Sequence, residues 1–342
     1  MPIPTTPFGS TSLRLPRLGL GLAALGRPGY INLGHEEDLE ANYDVAAMEQ
    51  RTHEMLDLAF EQGVRYFDAA RSYGKAEDFL LSWLQKHPEK AAEATVGSKW
   101  GYTYTAGWRV EAEKHEVKEH SLPVLERQWK LSKRLQPYLK LYQIHSATFS
   151  SGVLENTEVL SRLAALKAEG VAIGLSLSGA DQKEMLKAAM EVEVDGRRLF
   201  DAVQATFNIL ESSAARQLAA AADSGMGVII KEALANGRLT GRHADPAFIP
   251  KMLALKRLAD HHGVGIDAIA LAYVLSFPWA QIVLSGAARA EHLLSNLRAG
   301  DALLSAGQMR GSARQGQHHA PLRRQSWPIT DRFGWLAATS CG

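Results

Sequence analysis

Val64-Arg65-Tyr66-Phe67-Asp68-Ala69-Ala70-Arg71-Ser72-Tyr73-Gly74 begins as a run of the buried-strand kind, then delivers a carboxylate and, five residues later, a phenol. The next two apolar runs also close on chemistry-bearing side chains, Lys99 in Val96-Gly97-Ser98-Lys99-Trp100-Gly101 and His145 in Leu141-Tyr142-Gln143-Ile144-His145-Ser146. Strands laid side by side in one parallel sheet would bring Asp68, Tyr73, Lys99 and His145 to a single mouth, because a packed core does not tolerate such groups unpaired.

Working outward, β-branched apolar runs of strand length recur near Leu18–Leu22, Val64–Ala69, Thr95–Lys99, Leu139–His145, Val171–Leu177, Ala202–Asn208, Val228–Glu232 and Gln281–Leu284. Segments of helical period separate them: Val45–Gln62, Ala76–Gln85, Ala112–Leu135, Asn156–Glu169, Asp181–Glu193, Ser212–Ser224, and the pair Ala247–His262 and Ile266–Phe277. Eight strand–helix repeats imply parallel strands joined by right-handed crossovers, and at this length they fit a closed (β/α)8 TIM barrel better than the competing doubly wound sheet. Gly63, Gly170, Gly225 and Gly263 follow helical segments where a left-handed cap is wanted. Phe8–Pro16 reads as an N-terminal β-hairpin that would plug the barrel's bottom, and Gly26–Ala41 as a long polar loop of the functional kind. An extra C-terminal helix or tail is expected after the last repeat, with 307–325 an atypical segment of four arginines, two histidines and no acid inside a single domain spanning 1–342.

The 342 residues are 46% hydrophobic, with 38 basic and 37 acidic side chains, so a net charge of +1 offers no global field for nucleic acid or an anionic membrane. The one cysteine, Cys341, permits neither an intrachain disulfide nor a cysteine metal cage. No signal-type N-terminus or spanning run is present, and a cytoplasmic protein without a membrane segment is expected. His261-His262 and His318-His319 lack matching carboxylates, so no metal site is expected. Nothing in the sequence fixes the oligomeric state.

A partly desolvated Asp68 demands a counter-ion, which Lys99 supplies. A phenol beside that ammonium would have its anion favoured, lowering a pKa normally about 10 by about 1–3. Tyr73 can then donate a proton to a carbonyl or take one from an alcohol, with His145 holding the substrate oxygen. Proton transfer contributes about 10²–10⁴ in rate, and with no metal cage the electrons are best supplied as hydride from a nicotinamide.

The chain resembles the aldo-keto reductase family. The resemblance rests on Leu18-Gly19-Leu20-Gly21, Asp68-Ala69-Ala70 with Tyr73-Gly74, Ser98-Lys99-Trp100-Gly101, Gln143-Ile144-His145, Leu166-Lys167-Ala168-Glu169-Gly170 with Ile173-Gly174-Leu175-Ser176, Val203-Gln204, and Ala235-Asn236-Gly237-Arg238-Leu239-Thr240-Gly241. It implies a barrel that binds an extended nicotinamide dinucleotide without a glycine-rich Rossmann loop, a tetrad of Asp68, Tyr73, Lys99 and His145, and Tyr73 as the general acid. It also implies that Ser176 and Gln204 hold the nicotinamide carboxamide, that Leu234, Gly237 and Leu239 run along the pyrophosphate, and that Gly21 and Leu22 approach the reacting ring. The adenosine end would lie on Gly286, Arg289, His292 and Asn296, with Arg289 favouring NADP while NAD remains possible. Trp100 and the loops around Tyr102, Tyr104 and Trp108 would wall the substrate pocket.

Two departures qualify the pattern. Leu177 stands where relatives place an asparagine, so that one carboxamide contact is missing or moves to Ser178, and Lys231 stands where many stack a tyrosine. The stretch from Lys231 to Gly237 is similar to the branch of sugar and pyridoxal dehydrogenases, while Trp327, Arg332 and Trp335 resemble a terminal pattern of the family. The expected activity is hydride transfer between NADP(H) and an aldehyde, ketone or sugar carbonyl or alcohol. The alternative is a nicotinamide-binding regulatory subunit resembling the potassium-channel β proteins.

Overall fold

A computed structural model describes residues 4–242 and 246–302. Its eight principal strands are β1 (Leu18–Gly21), β2 (Tyr66–Asp68), β3 (Thr95–Trp100), β4 (Leu139–Ala147), β5 (Ala172–Leu177), β6 (Ala202–Thr206), β7 (Gly227–Lys231) and β8 (Ile282–Ser285). All eight pair in parallel, each with its sequence neighbour, and β8 closes on β1. The architecture is a (β/α)8 barrel, as expected for strands that alternate with amphipathic helices and bury both faces.

The outer layer contains α1 (Val45–Glu61), α2 (Ala76–Lys86), α3 (Leu122–Ser132), α4 (Thr157–Ala168), α5 (Gln182–Met190), α6 (Ala215–Asp223), α7 (Ile249–His262), α8 (Ile266–Leu275) and α9 (Ala290–Leu297). Asp44 starts α1 by accepting from the backbone N–H of Ala46 and Ala47, both at 3.0 Å. The four glycines expected as left-handed caps have φ of 93°, 93°, 90° and 63° in chain order.

The helix read over Ala112–Leu135 is a correction. Glu116–Lys118 is instead a strand paired antiparallel with Tyr102–Tyr104, and helix begins only at Leu122, with Pro123 in its first turn. The β-forming Tyr-Thr-Tyr run captures the segment, and proline is tolerated only where a helix starts. This hairpin matters because it rises beside the mouth.

At the opposite end, Thr6–Pro7 pairs with Arg14–Leu15. The hairpin's buried Phe8 and Leu15 pack with Tyr66, Leu141, Ile229 and Ile282, forming a floor beneath the strands. Burying one phenylalanine there contributes about 1.5–3 kcal/mol. The C-terminal tail, 307–325, Trp327, Arg332 and Trp335 lie outside the described residues.

Candidate active site

Parallel register places the chemistry. Gly21 of β1 pairs with Asp68 of β2, Asp68 with Gly97 of β3, and Lys99 with Gln143 of β4, so the carboxylate and the ammonium emerge at the same end of adjacent strands. Lys99 Nζ donates to Asp68 Oδ2, to the Ala69 carbonyl at 3.0 Å and to Tyr73 Oη at 3.2 Å. Lys99 is fully buried and Asp68 is 2% exposed, which makes this a desolvated ion pair. Two further donors complete Asp68 Oδ1: Tyr66 Oη at 3.3 Å and Gln204 Nε2 at 2.9 Å. A Cβ on residue 97 would lie 2.0 Å from the Tyr66 hydroxyl, so only glycine leaves that phenol its path to the carboxylate.

His145 sits at a register irregularity near the end of β4, followed by Ser146 at φ 52°. Its ring meets Tyr73 edge-on with centroids 5.5 Å apart, and Tyr102 of the hairpin at 4.9 Å. Its Nδ1 is 3.3 Å from Ser72 Oγ, and its carbonyl accepts from His120 Nε2 at 2.9 Å. Gly101 makes room for His120: φ is 108°, and a Cβ would fall 2.2 Å from the imidazole. Burial, and then the Lys99 charge, hold His145 well below the usual imidazole range, so the ring is neutral at pH 7 and fit to hydrogen-bond an uncharged oxygen.

Tyr73 departs from the expected direction. Burial, and then the Asp68 carboxylate, hold its pKa well above the usual phenol range rather than below it. Lys99 is already balanced by Asp68, so its positive charge does not dominate at Tyr73. The phenol therefore rests protonated, with an ammonium N–H placed to stabilise the phenolate that would form when the proton leaves.

These groups open into a cavity of about 460 Å³ that also reaches Leu234, Gly237, Gly286 and Asn296. Gly21, Gln204, Lys231 and His292 line it as well. Asn296 is buried at the far end, where its amide donates to the Asp267 carboxylate at 2.7 Å and accepts from the Ser285 hydroxyl at 2.8 Å. Arg242 is bound in a fork to Asp38 and donates to the Leu33 carbonyl at 3.0 Å, tying the Gly26–Ala41 loop to the segment after β7 beside His292. A Cβ at Gly21 would meet only the Ser285 carbonyl, at 3.6 Å, and one at Gly286 only Asn32, at 3.9 Å, so backbone faces the cavity at both places. An elongated space with backbone, amide and guanidinium donors along it fits an extended dinucleotide.

Five expected contacts fall elsewhere among the described residues. Trp100 is fully buried in the main core, edge-on to His120 at 5.6 Å; alternation along β3 turns it away from the mouth that Lys99 faces. Leu22 and Leu239 are likewise core residues. Ser176 stands one step behind the cavity, accepting the Ser146 N–H at 2.8 Å, and Ser146 and Ser178 line the space instead. Arg289 pairs with Glu291 at 2.6 Å rather than entering the cavity. Lys231 donates to Thr206 and to Glu232, each at 2.8 Å.

The sequence reading missed Glu77. It is 4% exposed and accepts from Arg71 at 2.5 Å, Ser98 at 2.5 Å and Ser132 at 2.8 Å. Through it the loop carrying Tyr73 is fixed to the strand carrying Lys99. Among the described residues no His, Cys, Asp and Glu side chains cluster in a way that could hold a metal ion, and no helix is long and apolar enough to cross a membrane.

A closed parallel barrel whose mouth holds a buried lysine–aspartate pair, a tyrosine and a neutral histidine defines an oxidoreductase of carbonyl compounds, and the sequence comparison gives the same class. The family described as "Aldo/keto reductase family" matches residues 17–312, and the chain belongs to it. That family generally uses NAD(P)H on small carbonyl substrates. The chain is 26% identical over 325 residues to L-glyceraldehyde 3-phosphate reductase of Escherichia coli (strain K12), spanning 85% of this chain and 86% of that protein. It is 25% identical over 328 residues to aldo-keto reductase str7 of Strobilurus tenacellus, spanning 87% and 88%. In fold it is similar to a holo-form aldo-keto reductase from Bacillus halodurans, with a TM-score of 0.68 and 19% identity over 98% of this chain and 96% of that one.

Proposed function

We propose that the protein is an NADP(H)-linked reductase or dehydrogenase that interconverts a small aldehyde, ketone or sugar carbonyl with its alcohol, and that Tyr73 exchanges the proton. The observation that carries this reading is the Lys99 N–H on Tyr73 Oη at 3.2 Å, backed by the buried Asp68 carboxylate. A bound nicotinamide dinucleotide would supply or accept the hydride. The chain's own groups do the rest. Tyr73 holds the proton at its Oη, Lys99 stabilises the phenolate left behind, and His145, uncharged, donates a hydrogen bond that orients the substrate oxygen.

Gln204 and the Ser146/Ser178 pair are the proposed carboxamide contacts, Gly21 the backbone beside the ring, and Leu234 and Gly237 the pyrophosphate wall. Gly286, His292 and Asn296 would take the adenosine end. Arg242 and His292, both lining the cavity there, are the proposed 2′-phosphate contacts in place of Arg289, and a phosphate would share the Arg242 fork with Asp38, which lines the cavity too. A cytoplasmic setting is supported by the solitary cysteine.

Fluorescence titration with NADPH and NADH tests the coenzyme, and NADPH oxidation with a panel of aldehydes tests the reaction. It also separates an enzyme from a regulatory nicotinamide-binding subunit. Tyr73→Phe is expected to retain NADPH binding and lose turnover by at least about 10²; a Phe variant of wild-type activity refutes the assigned role.

A further inference from the structure

Ser72 lies between the tetrad's carboxylate and its phenol in the chain, yet neither the proton transfer nor the coenzyme contacts use it. The residue is fully buried. Its carbonyl accepts from Arg27 Nη1 at 3.2 Å, and its hydroxyl oxygen lies 3.3 Å from His145 Nδ1. Arg27 is itself buried and donates to Glu116 of the hairpin beside the mouth at 2.9 Å, so the turn that carries Ser72 is held from both sides. The backbone under the imidazole is clamped as well. His120 Nε2 donates to the His145 carbonyl at 2.9 Å, and the N–H of Ser146, a residue at φ 52°, donates to Ser176 Oγ at 2.8 Å.

With the ring fixed in place, what remains to be decided is which of its nitrogens carries the proton. A neutral imidazole has one N–H, and the partner of one nitrogen settles the other. Two arrangements satisfy the geometry at Nδ1. If Nδ1 is protonated, the Ser72 oxygen accepts from it, and the buried hydroxyl hydrogen then finds no other acceptor among the described residues. If Nδ1 is bare, the hydroxyl donates to it and both groups are satisfied. An unmade buried donor makes the first arrangement the costlier one, so the proton belongs on Nε2. That nitrogen has no partner among the described residues and is open to the cavity that His145 lines.

We propose that Ser72 is a positioning residue whose hydroxyl, donated to Nδ1, holds His145 in its Nε2–H form, so that the ring offers the substrate oxygen a donor rather than a lone pair. This rests on the carbonyl-reductase reading above, in which His145 donates to that oxygen. The other tautomer would set two lone pairs against each other at the reacting carbonyl.

Two measurements on the full chain test it. Long-range proton–nitrogen correlation spectra of protein labelled with nitrogen-15 at histidine, at pH 7, report the tautomer, with His145 assigned by its absence from His145→Gln. A single form protonated at Nε2 is expected in the wild type, and a displaced Nδ1 resonance in Ser72→Ala. A wild-type His145 protonated at Nδ1, or an Nδ1 resonance unmoved by Ser72→Ala, overturns the proposal. The second measurement is kcat/KM for aldehyde reduction by NADPH in the wild type, Ser72→Ala, Ser72→Cys, His145→Gln and the double variant Ser72→Ala/His145→Gln. Ser72→Ala should lower kcat/KM by about 3–10-fold with NADPH affinity unchanged, and Ser72→Cys, which keeps a weak donor of similar size, by less. In the His145→Gln background Ser72→Ala should cost nothing more, because it acts through that ring. The same fold loss in both backgrounds, or no loss in either, overturns the positioning role. Should Ser72→Ala not fold, the wild-type tautomer and the Nδ1 resonance of Ser72→Cys decide. Absence of wild-type turnover with every aldehyde overturns the reductase reading, whereas an active wild type with His145 protonated at Nδ1 overturns this inference alone.

Discussion

Replacing Lys99 by methionine tests the buried pair at the centre of the site. The methionine fills most of the lysine's volume, so the loss is electrostatic: Asp68, 2% exposed, would lose its counter-ion. Removing one partner of a buried ion pair costs about 3–5 kcal/mol. Asp68 would retain the Tyr66 hydroxyl at 3.3 Å and the Gln204 amide at 2.9 Å. At about 1 kcal/mol each, these neutral donors place the expectation near the lower end, about 3 kcal/mol. The double variant Asp68→Asn/Lys99→Met no longer strands a charge and should recover more than half of the loss, costing less than about 1.5 kcal/mol where the two single variants together cost about 6 kcal/mol. Urea unfolding at pH 7, followed by tryptophan fluorescence, measures each corner. Both variants should have lost turnover, because Tyr73 no longer has an ammonium to stabilise its anion. If Lys99→Met costs less than about 1 kcal/mol, or the double variant costs the sum of the singles, the pair is not desolvated as described and the reasoning fails.

Two further expectations follow from groups around that pair. Burial lowers the His120 pKa from 6.5 to about 4; the unfolded chain takes up a proton there below pH 6.5 while the folded chain waits until about 4, so stability falls as pH drops through that window. The contribution lost is about 3 kcal/mol, and the buried His145 acts in the same direction. Urea midpoints between pH 7 and pH 4.5 should fall less steeply for His120→Gln than for the wild type, and equal slopes would count against the assignment. Glu77→Ala, which leaves the Arg71 guanidinium unanswered beside two orphaned hydroxyl donors, Ser98 and Ser132, should destabilise by about 3 kcal/mol, and Glu77→Gln by less, since its amide oxygen still accepts. Equal losses for the two variants would mean that the hydrogen bonds an amide oxygen can still accept are not what fixes the Tyr73 loop.

The barrel was legible because each strand is buried on both faces and so writes itself as an unbroken apolar run, and the tetrad because its members interrupt such runs at their ends. Tyr66, Gly97 and Gln204 form the support beneath Asp68, and of these only Gln204 was anticipated, as a carboxamide contact. Glu77 was hidden for a different reason. On an amphipathic helix a carboxylate reads as solvent-facing, and its burial depends on Arg71, Ser98 and Ser132, which lie in three separate segments. The hairpin's second strand, Glu116–Lys118, was lost inside a helical period and its first, Tyr102–Tyr104, among loops, so the Arg27–Glu116 pair could not be foreseen. Trp100 was misassigned because adjacency to Lys99 in sequence means the opposite face in a strand. The phenol's direction was misjudged because the ammonium was weighed without the carboxylate that cancels it.

The closed ring has a consequence for how the molecule can be altered. The groups proposed to handle the proton come from β2 to β4 and their loops, while the trough beyond them is lined by β6 to β8 and the segments after them, together with Gly21, the loop that follows β1, Ser146 and Ser178. Across the barrel axis the Gln204 amide donates to the Asp68 oxygen, partners 136 positions apart in the chain, and at the rim Arg242 is bound to Asp38. Recombining the later half with that of another family member should therefore exchange coenzyme preference only where residue 204 remains glutamine and the incoming segment still pairs with Asp38 of the loop after β1.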